Sequence, residues 1–169
     1  EEIHHTASFP YGTHVCEVEV DPELGTLEIV AYTAVDDVGR AINPLLIHGQ
    51  VHGGIAQGVG QALLEQCFYE SDTGQLLSGS LMDYALPRAD NFPYFRTGIS
   101  EVPSNTHPLG SRPAGESGTT PALGVVVNAV VDALAEYGVK HIEMPVTPER
   151  VWRAINGREK LPSSVPANR

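Results

Sequence analysis

Two segments of the chain carry residue types that could do chemistry. The first is Arg112-Pro113-Ala114-Gly115-Glu116-Ser117-Gly118. Glu116 stands among glycines in a long, proline-rich loop, four residues before Thr120-Pro121, a pair that signals a helix start. A carboxylate at a loop–helix junction can serve as a general base, tuned by the helix dipole and by burial. The plainer alternative is a surface Glu in a turn.

The second segment is Gly49-Gln50-Val51-His52-Gly53-Gly54-Ile55-Ala56-Gln57-Gly58-Val59-Gly60-Gln61, five glycines in one predicted helix. Each glycine costs about 0.8–1 kcal/mol against alanine in a helix interior, so close approach by something must offset them. Gln50, Gly53, Gly54, Gln57 and Gln61 share a face opposite an i, i+4 stripe of Ile47, Val51, Ile55, Val59 and Leu63. Bare backbone with carboxamides suits a flat polar ligand. Tight helix–helix packing through small residues is the other reading.

Three further patterns are weaker. His48 and His52 have the i, i+4 spacing of a zincin helix, but position 49 is Gly, so the general-base Glu is missing. Gly58-Val59-Gly60 lies in mid-helix, where a dinucleotide fingerprint does not occur. Cys16 and Cys67 cannot form a four-ligand metal site by themselves. No metal ligand is expected from this chain.

Several elements must position these segments. Thr13–Val20 and Thr26–Val35 alternate on a period of two, and Asp21-Pro22-Glu23-Leu24-Gly25 between them is a turn, which predicts a hairpin. Asn43-Pro44 opens a helix running to about Gln66. A short hairpin is expected around Ser71–Gly74, an irregular segment over 82–96, and a strand over Arg96–Val102. A mostly buried helix should run from Thr120-Pro121 to Tyr137, with Gly138 as its C-cap. His141–Pro145 reads as a short strand, and Thr147-Pro148 caps a last helix. The fold class is thus α+β: a mixed or antiparallel sheet with a hairpin, covered by two long helices. Residues 1–156 form one domain, and 157–169 a tail or linker.

The chain has 169 residues and a formal net charge of −11. The acidic balance argues against nucleic acid and anionic membrane surfaces as partners. No apolar run is long enough to span a bilayer, and free thiols suggest the cytoplasm. Glu1-Glu2-Ile3-His4-His5, with no start methionine, reads as the interior of something longer.

Several uncommon segments, in order, resemble one family. They are Val35-Asp36-Asp37-Val38-Gly39-Arg40-Ala41-Ile42-Asn43-Pro44, the Gln50 helix, Leu81-Met82-Asp83-Tyr84-Ala85-Leu86-Pro87, Gly115-Glu116 and Met144-Pro145-Val146-Thr147-Pro148-Glu149-Arg150-Val151-Trp152. Together they resemble the C-terminal part of the molybdenum-binding large subunit of the xanthine dehydrogenase, aldehyde oxidase and aerobic carbon monoxide dehydrogenase family. The resemblance implies a molybdenum-pterin cofactor, in molybdopterin or dinucleotide form. It implies oxidation of an aldehyde or N-heterocycle with oxygen from water. Glu116 matches the family's general base and Gln50 a cofactor-binding glutamine, with Gly53, Gly54 and Gly115 as further cofactor contacts. Iron–sulfur clusters and FAD would lie on partner subunits. The family loop usually carries Lys-Gly where this chain has Arg112-Pro113. The other half of the cofactor cradle has no counterpart here, so the isolated chain is expected to be inactive and its exposed cofactor face to favour a homodimer. The alternative is a non-catalytic assembly module that keeps the fold without the cofactor.

Overall fold

The computed structural model describes residues 7–157. The opening residues and the tail from 158 onward, expected as a chain interior and a linker, lie outside the described residues. Strands β1 (Tyr11–Val20) and β2 (Leu27–Asp37) pair antiparallel, as their alternation predicts. The turn between them closes on Asp21. Its side chain accepts from the N–H groups of Glu23 and Leu24, and Gly25 takes a positive φ of 72°, which glycine adopts without a Cβ penalty. The register shifts at Glu17/Val18, a bulge that leaves His14, Cys16, Val18 and Val20 inward.

Helix α1 (Pro44–Leu63) starts where Asn43-Pro44 predicts, and the Asn43 carboxamide accepts from the Leu46 N–H at 3.3 Å. Asn43→Ala should cost about 1 kcal/mol, readable as a lower urea midpoint at constant m. The helix stops at Leu63 rather than Gln66, because the N–H groups of Leu64 and Glu65 both turn back to the Gly60 carbonyl. Strand β3 (Arg96–Ser100) pairs with β2 in parallel, so the sheet is mixed and ordered β1-β2-β3. A parallel neighbour needs a long crossover, and α1 supplies it. The segment around Ser71–Gly74 forms a turn with one isolated bridge, Tyr69 to Leu76, and no full hairpin.

Helix α2 (Thr119–Ala133) begins one residue before the expected cap. Gly118 is the N-cap and offers no side-chain bond. The Thr119 hydroxyl reaches Gln57 instead, and the Thr120 N–H extends the turn back to the Glu116 carbonyl. The C-terminal end tightens into a 3-10 turn over Ala135–Tyr137, closed by Gly138 at φ 76°. Only Ala122, Val126, Val130 and Leu134 are buried there; Leu123, Val127 and Val131 are half-buried, so the helix is less enclosed than expected. Residues 141–145 form no strand. The Arg150 guanidinium takes the carbonyls of Glu143 and Pro145, and the Val146 N–H reaches Ala62 at the end of α1. Those groups are therefore not free to make a ladder. Helix α3 (Pro148–Ile155) is capped by Thr147, as predicted.

The core lies between the sheet and the two long helices. Ile29, Tyr32 and Ala34 of β2 meet Val51, Ile55 and Val59 of α1 and the buried row of α2. The predicted stripe on α1 is buried except Ile47, which is half-buried.

Candidate functional site

The glycine helix divides by position. A Cβ on Gly54 would lie 2.9 Å from the Thr119 nitrogen, and one on Gly58 2.7 Å from the Ala122 Cβ. These two glycines let α2 lie against α1, so Gly54 faces the partner helix and not an open ligand surface. Gly118 closes the same contact from the other side: a Cβ there would meet the Val51 carbonyl and the Ile55 nitrogen. Apart from the helix's own backbone and their chain neighbours, Gly49 and Gly53 have no atom of the described residues within 4 Å of where a Cβ would stand. Packing therefore accounts for Gly54 and Gly58, and leaves Gly49 and Gly53 unexplained by the fold.

Gln50 shares that open side. Its Nε2 donates to the Gly115 carbonyl at 2.8 Å, across 65 residues of sequence separation. Gly115 also has open space at its Cβ position. The fold thus joins Gln50 to the residue beside Glu116. Gly53 lies one turn along the same helix. Among the residues expected at the site, Gln50, Gly53, Gly115 and Glu116 are exposed, and Gly54 is buried.

The path of the Glu116 loop is set by Arg112 and Asp37. Asp37 is 2% exposed at the end of β2. It accepts from the Gly39 and Val102 N–H groups and the Ser100 hydroxyl, and pairs with the Arg112 Nε at 3.4 Å. Arg112 also donates to the Phe9 carbonyl and stands 5.3 Å from the Tyr11 ring centroid. The sequence offered no local sign of this anchor; the Val35–Pro44 segment marked the place without its role.

Burial pushes the Asp37 carboxyl up, but the bonds from Gly39, Val102, Ser100 and Tyr11 together hold it below the ordinary value of 3.8. A lowered folded pKa contributes stability that is complete above the unfolded pKa and is lost as pH falls through the folded one. Unfolding titrations should therefore show stability falling below about pH 4, with that slope reduced in Asp37→Asn.

A cleft of about 310 Å³ opens between β1 and the start of α2, and Glu116 and Ser117 line it. The Ser117 Oγ is buried without a hydrogen-bond partner among the described residues. His48 Nδ1 and His52 Nε2 both bond the Thr97 hydroxyl, at 2.8 and 3.1 Å. No cluster of three or more metal-ligating side chains occurs among the described residues. Burial, and then Glu17, push the Cys16 thiol up to about 11, so it is a poor nucleophile at neutral pH.

Residues 1–93 match the model of the molybdopterin cofactor-binding domain family. The match includes the Gln50 helix and stops short of Glu116. The chain is 38% identical to the carbon monoxide dehydrogenase large chain of Hydrogenophaga pseudoflava over 148 residues, covering 88% of this chain and 18% of that one. It is 40% identical to the nicotine 6-hydroxylase large subunit of Paenarthrobacter nicotinovorans, with the same coverages. In structure it resembles quinoline 2-oxidoreductase from Pseudomonas putida 86, with a TM-score of 0.82 and 42% identity over 86% of this chain and 18% of that one. The Cu,Mo-CO dehydrogenase matches with a TM-score of 0.83 and 34% identity, covering 88% of this chain and 18% of that chain. The chain thus spans less than a fifth of the length of these relatives. It belongs to the molybdopterin cofactor-binding domain family, as a segment of the molybdopterin-binding large subunit found in the xanthine dehydrogenase, aldehyde oxidase and carbon monoxide dehydrogenase group.

Proposed function

We propose that this chain contributes a general base, Glu116, and one side of the cofactor cradle to a molybdenum hydroxylase acting on an aldehyde or N-heterocycle. The observation that carries the reading is the Gln50–Gly115 hydrogen bond, which joins the glycine helix to the Glu116 loop.

The residues fit a flat polar pterin. Gly49, Gly53 and Gly115 leave room where side chains would stand. Gln50 spends one N–H on Gly115 and keeps a second N–H and its oxygen for a ligand. The buried Ser117 hydroxyl beside Glu116 lacks a partner among the described residues, and such groups usually find one. When bound, the molybdenum-pterin group, plain or as a dinucleotide, supplies the nucleophile and the two-electron redox change. Glu116 accepts a proton at its carboxylate oxygen and holds it during the reaction. The Arg112–Asp37 pair and the Gln50 bond keep its backbone in place, and Pro113 is accommodated within that path. Gly54 serves by admitting α2, which carries the loop's C-terminal end.

The remaining part of the large subunit would complete the cradle, and iron–sulfur and FAD subunits would carry electrons away. Among the described residues no helix is long and apolar enough to cross a membrane. The free thiols fit a reducing cytoplasm.

One observation favours a second reading. Packing against α2 explains Gly54 and Gly58 with no ligand, as in an assembly module that binds no cofactor. The assembled complex decides between them. Molybdenum in wild type and Glu116→Gln alike, with oxidation lost only in the variant, supports the base. A wild-type complex without molybdenum supports the module.

A further inference from the structure

A second carboxylate shares the Glu116 cleft. Tyr11, Gly12, His14, Asp36 and Thr120 line it with Glu116. The side chains of His14 and Asp36 are 1% and 5% exposed. His14 Nε2 lies 3.3 Å from both Asp36 oxygens, and Nδ1 lies 2.9 Å from the Tyr32 hydroxyl. Burial raises the Tyr32 hydroxyl pKa well above its ordinary value, so Tyr32 keeps its proton and lies within hydrogen-bond distance of Nδ1. With Nδ1 at the Tyr32 hydroxyl, Nε2 is the ring nitrogen that faces Asp36, and a proton on it is shared between the two carboxylate oxygens.

Asp36 is under-supplied by comparison with its neighbour. Asp37 accepts from two backbone N–H groups and a hydroxyl, and faces the Arg112 guanidinium as an ion pair. Among the described residues Asp36 is bonded by His14 alone, at 3.3 Å from each oxygen, although a carboxylate offers about four lone-pair sites. A buried carboxylate left so open costs free energy unless a further donor arrives. Gly12 packs so close that any Cβ would strike the Asp36 oxygen. Tyr11, beside Arg112, gives the cleft an aromatic wall. Among the described residues no Lys or Arg lines the cleft, and the nearby Arg112 is paired with Asp37.

We propose that Asp36, held by His14, is a specificity-determining acceptor that takes an N–H from a flat, neutral or cationic N-heterocycle in the Glu116 cleft. Ligands bearing a carboxylate are rejected by the two acidic side chains. This rests on the proposed hydroxylase reading, with the cleft that Glu116 lines taken as its substrate site.

The test is equilibrium binding to the assembled complex, without electron acceptor, by titration calorimetry. The probes are benzimidazole, benzoxazole, in which oxygen replaces the N–H, and benzimidazole-5-carboxylate. Wild type should bind benzimidazole about tenfold tighter than benzoxazole, the scale of one hydrogen bond to a charged group. The carboxylate should bind weakest. Asp36→Asn keeps an acceptor oxygen without the charge, and should narrow the gap from about tenfold to about threefold by weakening benzimidazole alone. Glu116→Gln should keep the preference. Equal binding of benzimidazole and benzoxazole to wild type overturns the proposal, whether or not the variant folds. So does carboxylate binding as tight as that of benzimidazole, equal weakening of both neutral probes in Asp36→Asn, or a preference lost in Glu116→Gln. Normal turnover by Glu116→Gln would instead remove the general-base reading and leave the N–H preference standing.

Discussion

Glu116→Gln should lower turnover of the assembled, molybdenum-loaded enzyme by about 10²–10⁴, the range expected for loss of a positioned general base. The substitution keeps size and shape and removes the basic oxygen. The loop should not move. Its backbone is held by the Gln50 bond to Gly115, by the Thr120 N–H on the Glu116 carbonyl at 3.2 Å, and by the Arg112–Asp37 pair. None of these uses the Glu116 side chain, which is exposed. Stability should therefore stay within about 0.5 kcal/mol of wild type, and molybdenum content should match. Parallel metal analysis, thermal unfolding and turnover separate the outcomes. Turnover within about threefold of wild type would remove Glu116 from the chemistry. Lost molybdenum would make it a cofactor-retention residue instead.

Alanine substitutions among the glycines should split in sign. Gly118→Ala drives a methyl into the Val51 carbonyl and the Ile55 nitrogen, all of it backbone. Overpacking of this kind costs about 1–3 kcal/mol or more, and a lowering of Tm by about 2–4 °C per kcal/mol is expected at this chain length. Gly53→Ala meets nothing. It should stabilise the helix by about 0.8–1 kcal/mol through propensity, while weakening cofactor retention in the assembled enzyme. Differential scanning calorimetry of the two variants, with pterin release measured for the second, gives the comparison. A Gly53→Ala variant that gains stability and retains cofactor normally would show that the open face is not part of the cradle.

Signals confined to a few neighbouring residues were readable directly. Asp21 with Gly25 closes the hairpin, Asn43-Pro44 and Thr147-Pro148 start their helices, and the Ile47–Leu63 stripe marks the buried side of α1. Each depends on backbone dihedrals, a local hydrogen bond or a period of 3.6. Signals that depend on distant partners were not readable. The Thr120 cap gave way because the Thr120 N–H bonds the Glu116 carbonyl and extends the helix back past it. Residues 141–145 resembled a strand, but Arg150 took the Glu143 and Pro145 carbonyls, and the next N–H, that of Val146, went to Ala62. The direction of β3 followed from the α1 crossover, which no local pattern encodes.

The candidate site divides the same way. Residue types alone singled out Glu116 and Gln50, because a carboxylate in a glycine loop and a helix of bare backbone both need a reason. Their connection through Gly115, the Arg112–Asp37 anchor and the His14–Asp36–Tyr32 chain were decided only by tertiary structure. So was the role of Gly54: helix periodicity puts it on the same face as Gly53, but only the approach of α2 separates a packing glycine from an open one. The sequence by itself determined the local elements and the chemistry available to them. Which of those groups meet, and which stay open to a ligand, was decided by contacts between elements far apart in the chain.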